Sequence, residues 1–155
     1  MFLIDTHCHL DYEPLISDIK GTLERAQEQK IQVLITICTH LEKIGKLKAL
    51  AETYPNIFWT LGVHPHEVET TWLPDDLRDF LEKNAVHPKS VALGETGLDY
   101  YYKHSPVDKQ KESFQAHIKA ALSSHLPLVV HTREAEEDTI SLLKSVGEGK
   151  VRGVI

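Results

Sequence analysis

Two kinds of apolar pattern alternate along the whole chain, and this alternation is the feature that most restricts its fold. Short, nearly continuous apolar runs predict buried strands, and apolar residues three or four apart predict the helices between them. The strands are expected at 3–4, 31–37, 56–63, 90–95 and 126–131, with a sixth beginning at 151. The helices are expected at 15–30, 41–54, 74–86, 105 to about 122, and around 140–147. Repeated strand–helix–strand steps imply right-handed crossovers, so the sequence predicts a parallel sheet with helices packed outside it.

Periodicity alone leaves two α/β architectures open, an open doubly wound sheet or part of a (β/α)₈ barrel. Both architectures place their functional sites at the carboxyl ends of the strands. The length of 155 residues, with 41% hydrophobic and 26% charged residues, is typical of one soluble globular domain. The fourth helix is expected to begin with Ser105 as its capping hydroxyl and Pro106 in its first turn.

The charge and the cysteines restrict the possible partners and the compartment. A formal net charge of −6 argues against binding of nucleic acid by a broad basic surface. An acidic chain can still act on phosphates if metal ions supply the positive charge. The sequence shows no membrane-length apolar run and no signal peptide, and Cys8 and Cys38 form no zinc-ribbon or disulfide pattern. We therefore expect two free thiols, no membrane partner and a cytoplasmic location.

The motif "DTHCHLD" at 5–11 places two histidines one residue apart. On an extended strand, His7 and His9 point to the same side while Cys8 points away from them. The pair could be accidental, because the chain has 10 histidines. Further candidate ligands follow later predicted strands: His64, His66, Glu95 and His131. Since the carboxyl ends of parallel strands meet at one rim, this convergence favours a metal site.

Glu95, in "LGETGLD", is the candidate for a shared ligand. It alternates in register with Val91 and Leu93, and is therefore expected to emerge at the same mouth as the histidines. One carboxylate can bridge two metal ions about 3.5 to 4 Å apart through its two oxygens. The alternative is a loop carboxylate flanked by Gly94 and Gly97 for turn geometry.

Several neighbouring side chains could contact a substrate. Arg133, in "VVHTRE", could hold a phosphate oxygen or form a salt bridge at a helix start. The run from Tyr100 to Tyr102 could stack on an unpaired base or close the helix layer. His64 and His66 are open between substrate contacts and simple loop residues, and Trp59 and Trp72 are expected to be packing residues.

The motifs "DTHCHLD", "GVHPHE", "LGETGLDYY" and "LPLVVHTRE", in that order and spacing, resemble the TatD family of metal-dependent deoxyribonucleases. The resemblance implies a (β/α)₈ barrel of the metallo-dependent hydrolase type with two divalent ions, Mg²⁺, Mn²⁺ or Zn²⁺. It further implies hydrolysis of phosphodiester bonds in DNA by metal-activated water, usually from the 3′ end. By the same resemblance, His7 and His9 bind one metal, Glu95 bridges both and His131 binds the second. It also associates His64 and Arg133 with the substrate.

The chain departs from the family pattern after its sixth strand. Family members continue with a histidine directly after strand six and an aspartate after strand eight, the expected general base. This sequence ends at Ile155, which corresponds to about five and a half βα units. We therefore expect open sheet edges that favour self-association, and weak or absent nuclease activity from this polypeptide.

Two rival functions remain open from the sequence. An amidohydrolase acting on C–N or ester bonds would share the first histidine pair, although its bridging group is commonly a carboxylated lysine. A non-catalytic remnant would keep the motifs without the reaction. The preferred partner is DNA, with RNA or single-stranded ends as alternatives.

Overall fold

All six strands of the sheet are parallel and lie in sequence order. The computed structural model describes residues 2–70 and 76–155. The strands are β1 Leu3–Cys8, β2 Ile31–Thr36, β3 Ile57–Leu61, β4 Ser90–Asp99, β5 Leu128–Arg133 and β6 Gly153–Val154. The helices are α1 Ile19–Glu28, α2 Ile44–Thr53, α3 Leu77–Asn84, α4 Val107–Ser124 and α5 Glu136–Ser145. The strand order of a doubly wound sheet reverses at a switch point, whereas this order never does. The sheet is therefore part of a barrel, and the second of the two predicted architectures is confirmed.

The core lies between the sheet and the helices. Trp59 is 1% exposed, and its indole Nε1 donates to His87 Nδ1 at 3.3 Å, so its predicted packing role is confirmed. Phe114 and Ile118 of α4 are completely buried against the sheet, as the apolar stripe predicts. Trp72 and the predicted helix start at Pro74 lie outside the described residues.

The carboxyl end of β4 differs from the prediction in a way that affects the site. The strand was expected to end at Glu95, but it continues to Asp99 because residues 96–99 go on pairing with β5. In that pairing, Gly97 lies opposite His131. β5 likewise ends two residues later than predicted, at Arg133. Residues expected in a loop after β4 thus belong to the sheet.

The start of α4 also differs from the prediction. Pro106 occupies the capping position itself, and the Ser105 hydroxyl makes no capping bond to the helix. Instead, Ser105 Oγ donates to the carbonyl of His66 at 3.0 Å and accepts from the backbone N–H of Glu69 at 3.1 Å. Ser105 therefore ties the loop after β3 to the loop after β4.

The outer strands β1 and β6 each pair with one neighbouring strand in the described part of the chain. Large apolar side chains on these strands are exposed, including Ile4 at 49% and Val154 at 64%. Self-association through these edges stays a prediction, which sedimentation velocity of the 155-residue polypeptide can check. Cys8 and Cys38 are free thiols, as expected. No helix in the two described ranges is both long and apolar enough to cross a membrane.

His117 gives the fold a dependence on pH. It is completely buried in α4, where Nε2 accepts from the backbone N–H of Val63 at 3.2 Å and Nδ1 donates to Ser113 O at 2.8 Å. Both bonds together require the neutral ring, and burial lowers the pKa of His117 to about 4 from 6.5. Between pH 4 and pH 6.5, His117 therefore binds a proton in the unfolded chain but not in the folded chain. The contribution to stability is therefore complete above pH 6.5 and is lost progressively as the pH falls to 4.

We expect the free energy of unfolding to fall by about 3 kcal/mol from pH 7 to pH 4 because of His117. Urea unfolding at several pH values, compared between the wild type and His117→Gln, measures its share. The glutamine can still accept from Val63 but does not titrate. An identical pH dependence in the two proteins would contradict the prediction.

Candidate metal centre

The predicted metal ligands converge at the carboxyl end of the sheet. His7 lies near the end of β1 and His9 just after it, while Glu95 and His131 lie within β4 and β5. Potential ligand atoms of His7, His9 and Glu95 all lie within 4.8 Å of one another. The same limit holds for a second group formed by His64, Glu95 and His131. Glu95 is the member that the two groups share.

The carboxylate of Glu95 lies between histidines from three other strands or strand ends. Its Oε2 is 3.4 Å from His7 Nε2, whereas its Oε1 is 3.5 Å from His131 Nδ1 and 3.9 Å from His64 Nε2. Burial acts to raise the pKa of Glu95, but the bond to His131 and the nearby His64 and His7 rings together lower it. Glu95 is therefore ionised at neutral pH, and its two oxygens face different ligand groups.

Two glycines let β4 and β5 approach closely where these side chains emerge. Gly97 has φ +138°, and a Cβ there would lie 2.0 Å from the carbonyl oxygen of His131. Gly94 has φ +131°, and its Cβ would lie 2.3 Å from the carbonyl oxygen of Val129. A side chain is excluded at both positions by the backbone conformation and by the neighbouring strand. The alternative interpretation, in which these glycines provide turn geometry, is therefore wrong, because they allow close packing of two strands.

The donor set fits divalent cations. Imidazole nitrogens and carboxylate oxygens are ligands that Zn²⁺ and Mn²⁺ accept, and carboxylates also bind Mg²⁺. His9 Nδ1 is buried and has no hydrogen-bond partner among the residues that the structure describes. The two ligand groups share the carboxylate of Glu95. His7, His9, Glu95 and His131 are the residues that would hold the ions.

His64 lies against this centre but differs from the other histidines in its hydrogen bonding. Its Nδ1 accepts from the backbone N–H of His66 at 3.2 Å, so the proton of the neutral ring is on Nε2. Burial lowers the pKa of His64 to about 4, with the charge of Glu95 opposing this and that of His131 adding to it. The ring therefore presents an N–H donor, which suits a substrate oxygen better than a metal ion.

A cleft of about 280 Å³ opens beside His64 and Glu95. Its other walls are His9, Tyr12, Thr39, His66 and Glu67. On this side, Glu67 Oε2 lies 2.8 Å from His40 Nε2, and Tyr12 and Thr39 share a hydrogen bond at 3.2 Å. The cleft gives a small polar ligand direct access to the shared carboxylate.

Asp99 contacts the centre, although no sequence motif indicated it as a site residue. Its side chain is completely buried, and Oδ2 accepts from His66 Nε2 at 2.7 Å and from His131 Nε2 at 3.0 Å. Burial acts to raise the pKa of Asp99, but the bonds from Tyr102 N–H, His66 and His131 lower it to about 2. The available signal was its spacing, because Asp99 follows Glu95 by four residues and points to the same face of a strand.

The predicted substrate residues fall into two environments. Arg133 lies over the rings of Tyr101 and Tyr102, with its guanidinium carbon 4.2 Å and 4.5 Å from their centroids. Both of these tyrosines are exposed, at 53% and 48%. Tyr100 instead packs half-buried against the core, and its hydroxyl donates to Asp138 at 2.6 Å. Substrate contacts by Arg133 and Tyr100 stay predictions.

Comparison with known proteins agrees with the motifs. A family model described as TatD related DNase matches residues 4–155. An uncharacterized metal-dependent hydrolase of Buchnera aphidicola is 35% identical over all of this chain and 61% of its own length. The uncharacterized metal-dependent hydrolase YcfH of Escherichia coli is 37% identical over 93% of this chain and 54% of its own. The crystal structure of the TatD homologue YjjV of E. coli superposes with a TM-score of 0.86 at 29% identity, covering 96% of this chain and 57% of that one. The predicted family and barrel fold are thus confirmed, and the chain spans about three fifths of the length of these relatives.

Proposed function

Because this chain belongs to the TatD related DNase family of metal-dependent hydrolases, we propose that it hydrolyses phosphodiester bonds of DNA at a centre of two divalent metal ions. The observation that carries the proposal is the position of the Glu95 carboxylate, whose two oxygens face His7 on one side and His131 on the other. A single-metal site has no need for a buried acid turned to two ligand groups. We further propose a cytoplasmic location, supported by the two free thiols.

Each residue of the centre has a distinct task in this proposal. His7, His9, Glu95 and His131 would hold the cations. When bound, two divalent ions polarise a phosphoryl oxygen and make water a stronger nucleophile near neutral pH. The Nε2–H of His64 faces His131 Nδ1 at 3.3 Å, and if that nitrogen binds a cation, the N–H could donate instead to a non-bridging phosphoryl oxygen in the cleft.

The surface formed by Tyr101, Tyr102 and Arg133 supports a single-stranded DNA end as substrate. The two exposed rings and the guanidinium lie together at the rim, next to His66, whose ring is 5.5 Å from that of Tyr102. Stacking of a base on an aromatic side chain contributes about 1 to 3 kcal/mol to binding. A guanidinium can bind phosphate through a bidentate pair of hydrogen bonds. An overall charge of −6 leaves the metal ions as the main attraction for phosphate.

The test is hydrolysis by the 155-residue polypeptide of single-stranded DNA, duplex DNA and RNA oligonucleotides, with amide and carboxylic ester substrates alongside. We expect cleavage of DNA that requires Mg²⁺ or Mn²⁺, that is fastest on single-stranded 3′ ends and that chelation abolishes. The rate is expected to be low, since weak or absent nuclease activity is predicted for this polypeptide. Cleavage of amides alone would favour an amidohydrolase. Metal binding without any cleavage would favour a non-catalytic binding role.

A further inference from the structure

One buried carboxylate, that of Asp99, contacts His66 and also contacts His131 through the ring nitrogen that points away from Glu95. Asp99 Oδ2 is 2.7 Å from His66 Nε2 and 3.0 Å from His131 Nε2. The other oxygen, Oδ1, accepts from the backbone N–H of Tyr102 at 2.8 Å. An ionised carboxylate only accepts hydrogen bonds, so both ring nitrogens that face Oδ2 must carry protons.

This requirement determines which nitrogen of His131 can bind a metal. A neutral imidazole carries one N–H and one lone pair, and the proton on Nε2 leaves the lone pair on Nδ1. Nδ1 is the nitrogen that lies 3.5 Å from Glu95 Oε1 and 3.3 Å from His64 Nε2. The His64 ring donates from Nε2, because its own Nδ1 accepts from a backbone N–H. In the neutral ring, the contacts with Asp99 and His64 both require this tautomer, whereas a hydrogen bond from Nδ1 to Glu95 Oε1 forms only when the ring is doubly protonated.

The position of Asp99 is itself held by a buried glutamine of α4. Gln110 Oε1 accepts from the backbone N–H of Asp99 at 2.7 Å, and its Nε2 donates to the carbonyl of Asp99 at 3.2 Å. The same Nε2 donates to Ser105 O at 2.8 Å. Gln110 is completely buried, so these bonds are protected from water. The carboxylate therefore has little freedom to move away from the two rings.

The geometry points to Asp99 as a positioning residue that selects Nδ1 of His131 as the metal-binding nitrogen and keeps the ring turned toward Glu95. This inference rests on the proposed metal centre, but it does not depend on which substrate is hydrolysed. Groups that orient a metal-binding histidine in this way typically change metal affinity by about 10- to 100-fold when they are altered.

The same three residues, His66, Asp99 and His131, could alternatively form a separate cation site, since their ligand atoms lie within 4.8 Å of one another. One observation and one chemical consequence favour the positioning role. The Asp99 oxygen already lies at hydrogen-bond distance from both nitrogens, at 2.7 and 3.0 Å. A cation bound to Nε2 of His131 would also take the place of the proton on that nitrogen. The neutral ring needs this proton if its Nδ1 lone pair is to bind a metal near Glu95.

Asp99→Asn tests the inference, with Asp108→Asn as the matched control on the exposed start of α4. In the first variant, the bond from Tyr102 N–H would hold the amide oxygen of the new side chain at the place of Oδ1, which turns the amide NH₂ toward the two rings. The Nε2 atom of His131 would then have to accept, and its proton would move to Nδ1. Glu95 and Asp99 raise the pKa of His131, so long-range ¹H–¹⁵N spectra of the metal-free proteins are recorded at increasing pH until this ring is neutral, and they then report its tautomer. Calorimetric titration with Mn²⁺ and Zn²⁺ reports the affinity.

We expect the Nε2–H tautomer of His131 in the wild type, the Nδ1–H tautomer in Asp99→Asn, and metal binding that is about 10- to 100-fold weaker in the variant. Asp108→Asn is expected to match the wild type in both measurements. A folded Asp99→Asn protein with wild-type tautomer and affinity would overturn the inference. If that variant does not fold, the wild-type spectrum still decides, because an Nδ1–H tautomer or a metal-bound Nε2 at His131 contradicts it. DNA cleavage is not part of the readout, so failure of the proposed DNase activity is a separate result.

Discussion

Replacement of Glu95 by glutamine is expected to weaken binding of divalent cations by about 100- to 1000-fold and to reduce DNA hydrolysis at least as much. Glutamine keeps the size of the side chain but removes the negative charge and one of the two acceptor oxygens. Because Oε1 and Oε2 face different histidine groups, the change affects both ligand groups at once. Calorimetric titration with Mn²⁺ measures the loss, and the number of ions bound per chain is expected to fall.

The control for this variant is Glu24→Gln, the same chemical change at an exposed position of α1. It is expected to bind metal like the wild type. Circular dichroism establishes that each variant is folded before the titrations are compared. Wild-type affinity and stoichiometry in folded Glu95→Gln would show that Glu95 does not bridge two ions, and the two-metal proposal would fail with it.

Replacement of Gly97 by alanine is expected to lower the free energy of unfolding by about 3 to 5 kcal/mol. The new Cβ would lie 2.0 Å from the carbonyl oxygen of His131, and backbone atoms cannot move aside as the tip of a side chain can. The φ of +138° adds a conformational cost that a glycine does not have. Relief of the clash requires β4 and β5 to separate at His131, so metal affinity is expected to fall as well.

Gly45→Ala provides the matched comparison, since a Cβ at this position of α2 meets no atom within 4 Å. Alanine is favoured over glycine in helices, and a stabilisation of about 0.5 kcal/mol is expected. Urea unfolding of the two variants and the wild type measures both effects. A destabilisation below about 1 kcal/mol in Gly97→Ala would mean that the two strands are not held as close together as the structure has them.

Much of the fold could be predicted from the sequence because the relevant signals are local. The apolar run at 31–37 and the helical spacing of the residues after it each depend on which faces of one segment are buried. The ends of β4 and α4 could not be predicted in this way. Gly94 and Gly97 have the composition of a turn, yet they lie in a strand because β5 runs directly against them. Ser105 has the signature of a helix cap, yet its hydroxyl bonds to the loop after β3.

The sequence alone determined the alternation of strands and helices, the family, and the set of histidines and one glutamate that the fold brings to the rim, because these follow from periodicity and from motifs within single segments. Packing of the whole sheet was needed to establish the sequential strand order, the placement of Glu95 between two histidine groups, and the buried contacts of Asp99. Each of these depends on distances between side chains on different strands, such as the 3.0 Å from Asp99 Oδ2 to His131 Nε2. Local sequence patterns carry no information about such distances until the packing of the whole sheet sets them.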